Sequence, residues 1–231
     1  MLYASSAFPC IVRSHLSFLS LRKNEKVGKY AKVNDINMYY EIYGQGKPLV
    51  LIHGNDDNIQ GMAHQIQYFS ECYHVIVADS RRNDKTDIGK GKLTYEQMAN
   101  DWASLLDRLE IYSTYVIGWS DGGIIGLLLA IHHAPKVKML AAMGASLQPD
   151  TSAVYSWAVN WVKQMDQMAD NMITKNDTTE NWKLRKQLLG LLGKQPNISL
   201  TDLHKISVPV LLIEVGVYNK ESKVSCDKYR T

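Results

Sequence analysis

The sequence predicts an α/β fold organised on a mostly parallel β-sheet. Three observations predict it. Leu49-Val50-Leu51-Ile52, Val75-Ile76-Val77-Ala78 and Pro209-Val210-Leu211-Leu212-Ile213 are short apolar runs, the pattern of strands buried on both faces. Between such runs lie segments with apolar residues at helical spacing, and strands alternating with helices across short connections imply parallel neighbours. Tyr115-Val116-Ile117-Gly118-Trp119-Ser120-Asp121-Gly122-Gly123 then reads as strand, sharp turn and helix, with a serine at the apex.

Residues 1–28 precede any regular pattern. Met1 to Leu21 is rich in serine and apolar residues, and the first acidic residue is Glu25. There is no basic start, and Arg13 and His15 interrupt the apolar run. A disordered leader is therefore expected, with a degenerate signal or transit-like leader as the alternative. Tyr30-Ala31-Lys32-Val33 and Ile36 to Tyr43, joined by Asn34-Asp35, read as a hairpin. Gly44-Gln45-Gly46-Lys47-Pro48 breaks it, and the strand Leu49 to Ile52 follows, ending in His53-Gly54-Asn55. A helix is expected over Gln60 to Ser70, and the strand Val75 to Ala78 ends at Asp79.

Thr94-Tyr95-Glu96-Gln97 has the spacing of a capping box, with Thr94 as N-cap. Met98, Trp102, Leu105, Leu106 and Leu109 then make one apolar helix face. After the strand at Thr114 and the serine turn comes a helix ending before Pro135, then a strand from Val137 to Ala142. Right-handed crossovers collect the C-terminal strand ends on one edge, where sites in such sheets gather. His53, Asp79 and Ser120 all fall there. From Leu147 the alternation stops. Asp150 to Lys205 is helical in pattern, with Asp150 expected as the N-cap of its first helix. Val154, Trp157, Ala158, Trp161 and Val162, then Met165, Met168 and Met172, form a stripe that favours packing over pocket lining. The expected division is a leader (1–28), an α/β core (29–146), a helical cap (147–206), and a last core strand with a divergent tail (207–231).

With 231 residues and 45% hydrophobic content, the chain can bury one substantial core. A formal charge of +3 with both signs interspersed gives no basic stripe, so no nucleic-acid partner is expected. Cys10, Cys72 and Cys226 are odd in number and in no metal spacing, suggesting neither a disulfide framework nor a zinc site. No apolar run approaches the roughly 20 residues of a membrane span. A cytoplasmic location is favoured, and no feature specifies an oligomeric state.

On His53-Gly54, Asp79-Ser80-Arg81, Gly118-Trp119-Ser120-Asp121-Gly122-Gly123 and the helical insertion before Val208-Pro209-Val210-Leu211-Leu212-Ile213, the chain resembles the α/β-hydrolase superfamily. The likeness is to its serine esterase-like members with a helical cap, and it runs from about Lys29 to Ile213. It implies that Ser120 is a nucleophile held in an elbow by Gly118, Trp119 and Gly122. It implies an oxyanion hole made by the backbone N–H groups of Asp121 and Asn55. A small acyl or ester substrate is implied, with no cofactor and no metal.

Three departures qualify these expectations. Asp56-Asp57 stand where the family commonly has glycine after His-Gly-Asn. Arg82-Asn83-Asp84-Lys85-Thr86 stand where it usually runs Gly-x-Gly-x-Ser, so the loop loses two glycines. After Ile213 the run Glu214-Val215-Gly216-Val217-Tyr218-Asn219 holds no aspartate at the expected place, and no histidine follows His204. The order Ser, Asp, His is not completed, and neither triad acid nor triad base is assigned. The expected product lacks the last strand and helix of the family, as a truncated hydrolase would. His53 is expected to shape its loop, His132 and His133 to close a helix, and His204 to lie on the surface of the last cap helix.

Overall fold

The computed structural model describes residues 27–213. Seven strands form one sheet: β1 (Lys29–Val33), β2 (Ile36–Tyr43), β3 (Lys47–Ile52), β4 (Tyr73–Ala78), β5 (Thr114–Trp119), β6 (Val137–Met143) and β7 (Val210–Ile213). Their spatial order is β1-β2-β4-β3-β5-β6-β7. β1 and β2 form the expected hairpin, with Asn34 at φ 49° in its turn, a conformation asparagine tolerates. β2 is antiparallel to β4, whereas β4, β3, β5, β6 and β7 are mutually parallel. The sheet is thus the mostly parallel one expected, and the C-terminal ends of its parallel strands share one edge.

Helices α1 (Ala63–Phe69), α2 (Tyr95–Arg108) and α3 (Asp121–His132) belong to this layer. α4 (Ser156–Thr174), α5 (Trp182–Lys194) and the short α6 (Leu200–Leu203) follow β6. Alternate strand residues serve opposite faces. Val50, Ile52, Ile76, Val116 and Leu140 face α2 and α3 in one cluster. Leu49, Leu51, Val75 and Val77 pack with Ile66 of α1 in another. Thr94 caps α2 as expected, its Oγ1 accepting from Gln97 N–H at 3.1 Å. Met98, Trp102, Leu105 and Leu106 are buried as the periodicity predicts. α3 is apolar on nearly every face and buried along almost its whole length, which fixes the helix that follows Ser120.

A buried ionic clamp joins three elements of this layer. Arg81, after β4, donates from Nε and Nη2 to both carboxylate oxygens of Asp101 on α2, at 2.7 and 2.9 Å. Its Nη2 also reaches Asp35 of the β1–β2 turn at 2.6 Å. The two carboxylates raise the Arg81 pKa against its burial, and Arg81 holds Asp35 down to about 2.

In the loop after Arg81, Arg82 and Asp84 stand where the two glycines are lost and adopt φ of 69° and 38°, the left-handed region that favours glycine. Thr86 locks it, Oγ1 donating to Asp79 O at 2.7 Å and accepting from Tyr39 N–H at 2.9 Å. Asp150 does not cap the first helix after β6. Its carboxylate accepts from Ser152 N–H at 2.8 Å in a turn, and the residue before α4 is Tyr155. A short Asx turn competes with capping for the same carboxylate. Cys72 is disulfide-bonded, although the cysteine count and spacing suggest no disulfide framework. Residues 1–26 of the leader expected over 1–28, and the divergent tail after Ile213, lie outside the described residues, and so does the expected lack of a last strand and helix.

Candidate active site

β5 runs straight into the elbow. Ser120 N–H donates to Met143 O of β6 at 2.7 Å, holding the turn against the sheet, and α3 begins at the next residue. Ser120 has φ 52° and ψ −116°, a conformation costing a non-glycine residue about 1–2 kcal/mol. Its neighbours make the bend possible. A Cβ on Gly118 would stand 2.1 Å from Gly122 O, and one on Gly122 would stand 2.1 Å from Ile52 O. Trp119 lies across Gly54, whose missing Cβ would come within 3.4 Å of Ser120 Cβ. The loop after β3 and the elbow therefore meet at the serine.

Asn55 and Asp121, the two residues expected to offer backbone donors, are joined through their side chains. Asn55 Nδ2 donates to Asp121 Oδ2 at 2.8 Å. The N–H of Asp121 is among the first-turn donors that α3 itself cannot satisfy. Asp121 is fully buried, and burial pushes its pKa up to about 6 despite the Asn55 bond and the nearby Tyr95 hydroxyl. Tyr95 Oη and Asp121 Oδ1 fall outside hydrogen-bond geometry. Their mutual influence persists: burial and then the Asp121 charge raise the Tyr95 pKa well above the ordinary phenol value. Sequence reasoning missed Tyr95, because a tyrosine at the first position of a helix carries no signal of what it faces. Asp56, next to Asn55, takes the left-handed position at φ 54° and pairs with Arg185 of α5 at 3.1 Å. Asp57 instead binds Asn58 N–H at 2.8 Å.

Three histidines among the described residues have ring nitrogens bonded to groups other than Ser120. His53 is buried, with Nδ1 2.7 Å from Gly54 O and Nε2 accepting from Ser80 N–H at 2.9 Å. That pattern fixes the neutral tautomer with the proton on Nδ1, and burial lowers its pKa. Both ring nitrogens are used in shaping the loop, as expected. His132 and His133 close α3 at its far end, about 18 Å along the axis from Ser120 at about 1.5 Å per residue. His133 Nε2 bonds Asn100 there at 2.8 Å. His204 follows α6, exposed, with Nδ1 2.7 Å from Leu200 O. Asp79 also ends its strand but faces inward, accepting from Ile59 N–H at 2.9 Å and Lys85 N–H at 3.3 Å. Burial raises its pKa to about 6.

Above the elbow lies a cavity of about 590 Å³. Ser120, Asp121 and Tyr95 line it from the core, and Val154, Trp157, Ala158, Trp161 and Val162 line it from the helical segment. The stripe read as packing is therefore divided. Its tryptophan, valine and alanine members face the cavity, while Met165 and Met172 pack with Ala169, Trp182 and Leu189 between α4 and α5. Among the described residues no helix is long and apolar enough to cross a membrane.

Residues 47–197 match the family model described as the alpha/beta hydrolase fold. The 3-oxoadipate enol-lactonase 2 of Acinetobacter baylyi is 34% identical over 100 residues, 42% of this chain and 38% of that protein. The pimeloyl-[acyl-carrier protein] methyl ester esterase of Vibrio cholerae is 23% identical over 173 residues, 75% of this chain and 65% of that protein. The enol-lactonase structure from Burkholderia xenovorans LB400 superposes with a TM-score of 0.66 at 20% identity, covering 87% of each chain. The chain spans about half the length of the curated relatives it matches. It belongs to the alpha/beta hydrolase fold family.

Proposed function

We propose that this chain cleaves small carboxylic esters or related acyl compounds with Ser120 as the nucleophile. The observation that carries the proposal is the strained elbow serine on the floor of the cavity. Ser120 Oγ attacks the carbonyl carbon, and the carbonyl electron pair moves to oxygen. The backbone N–H groups of Asp121 and Asn55 receive that charge, each contributing a factor of about 10²–10³ to turnover. Collapse breaks the carbon–oxygen bond to the alcohol, which leaves with the proton given up by Ser120; water then attacks the acyl-serine, releasing the acid and returning a proton to Ser120 Oγ. The names of the enol-lactonase and methyl ester esterase relatives support acyl–oxygen chemistry of this kind.

A second reading is a ligand-binding protein, or a catalytically impaired hydrolase, on the same fold. One observation favours it. His53, His133 and His204 each have a ring nitrogen engaged away from Ser120. Loss of the base from a working serine triad costs about 10⁶ in turnover.

Two measurements separate the readings. A fluorophosphonate should label Ser120, and hydrolysis of p-nitrophenyl acetate should fall to background in Ser120→Ala. Absence of labelling, or unchanged turnover in the variant, refutes the enzymatic reading. A melting-temperature rise with a fatty-acyl ligand that survives Ser120→Ala would then support the binding one.

A further inference from the structure

Among the described residues two charged side chains line the cavity, and they stand in contrasting settings. Asp121 is on the floor, fully buried, with its carboxylate turned to Asn55 and Tyr95. Lys163 is on α4 and exposed, with no ion pair among the described residues. Tyr155, Val159 and Lys163 follow one another at four-residue spacing and line the same wall. Lys163 therefore lies about 12 Å along the helix axis from Tyr155, at about 1.5 Å per residue. Two other basic residues of this segment are held in ion pairs: Arg185 pairs with Asp56 and Glu180, and Lys186 pairs with Asp166 and Asp170. Much of the remaining lining is apolar, with Ile124, Ala145, Ala158 and Val162 among it.

This arrangement discriminates between substrates by charge and by direction. A buried carboxylate beside Ser120 repels an anionic group at the floor, where the field is least screened. An apolar wall desolvates a hydrocarbon body without compensating any polar group on it. A flexible, solvent-exposed ammonium on the α4 wall receives an anion without being buried itself.

We propose that Lys163 is a specificity-determining residue, and that the cavity takes acyl compounds with an apolar body and a carboxylate at the end remote from the scissile carbonyl. This inference rests on the reading of Ser120 as the point of attack, which sets the direction of the ligand. Its test is binding to Ser120→Ala, so that a failed nucleophile and a failed subsite give different results. The probes are monomethyl adipate, which carries the remote carboxylate, and methyl hexanoate, which has the same carbon chain without it. Affinities are measured by ligand-observed NMR titration.

Monomethyl adipate should bind about three- to tenfold more tightly, the range for an ion pair between exposed and partly desolvated. The advantage should shrink between about 20 mM and about 500 mM salt. It should vanish in Lys163→Met and reverse in Lys163→Glu. Both substitutions are on an exposed position, and an unchanged melting temperature checks that the fold survives them. Equal binding of the two probes, binding of neither, or an advantage that persists in Lys163→Met overturns the proposal. Fluorophosphonate labelling of the parent chain reports separately on Ser120.

Discussion

Asp121 bears two opposed demands at one position. In the proposed reaction its backbone N–H meets a negative charge, yet its own carboxylate adds one nearby, inside the core. The Asn55 bond offsets part of that cost, and burial still raises the pKa from the ordinary 3.8 to about 6. The unfolded chain thus releases this proton near pH 4 and the folded chain near pH 6. Between those values the folded state binds more protons, so the contribution of Asp121 to stability falls as pH rises. The expected loss is on the order of 2–3 kcal/mol once both states are ionised. Asp121→Asn keeps an acceptor for Asn55 and removes the titration. The melting temperature of the variant relative to the parent should therefore climb between about pH 4 and pH 6 and level off above. A difference that stays constant across that range would show that the carboxylate is relieved in some other way. Asp79 shifts in the same direction and is present in both proteins, so it cancels from the comparison.

Among the elements, the hairpin, α2 and the loop after β4 depend on one another through Arg81. Asp101 is 1% exposed at its side chain, as is Arg81, whereas Asp35 is about one-third exposed. Removing one partner of a buried pair leaves an uncompensated charge and costs about 3–5 kcal/mol. Asp101→Asn should therefore lower the denaturation midpoint strongly. Asp35→Asn should cost about 1 kcal/mol or less, because solvent can replace it. Equal costs for the two would mean that the hairpin turn, rather than α2, anchors the guanidinium. The clamp also marks the limit of what the sequence discloses. The strands, α2 and the elbow are legible because burial and helix spacing are local patterns, visible at Val75 to Ala78 or from Met98 to Leu106. The pairing of Arg81 with Asp101 is not legible, since it joins residues 20 apart whose identities fit a solvated loop and a polar helix turn equally well. Likewise the lost glycines at 82 and 84 could be seen, but not that Arg82 and Asp84 would take up the same left-handed backbone. The elbow could be read as a site; the Asn55–Asp121–Tyr95 grouping around it required the fold.

At the scale of the molecule, the helical segment has less of its own to hold it than the sheet has. α4 packs through a small cluster with α5, in which Ala169, Trp182 and Leu189 are the buried members. α5 has a second allegiance: Leu188 and Leu191 are buried in the main core, together with Ile198 beyond its end. Gln195 adds polar ties, accepting from Tyr95 N–H and donating to Leu93 O at 3.3 and 3.2 Å. α5 is thus fastened to the core, while α4 is fastened mainly to α5 and carries Trp157 at 71% exposure. Elements with few buried apolar contacts open at free energies below the global value. Native-state hydrogen exchange should show this order, with α4 amides exchanging through a sub-global opening while β3, β5 and α3 exchange only on global unfolding. Trp182→Ala should enlarge the gap. It removes most of the small cluster, so α4 should exchange at least tenfold faster, a change of about 1.4 kcal/mol, while β5 stays within about twofold of the parent. If β5 accelerates equally, α4 unfolds with the sheet as one unit, and access to Ser120 cannot be governed by movement of the helix above it.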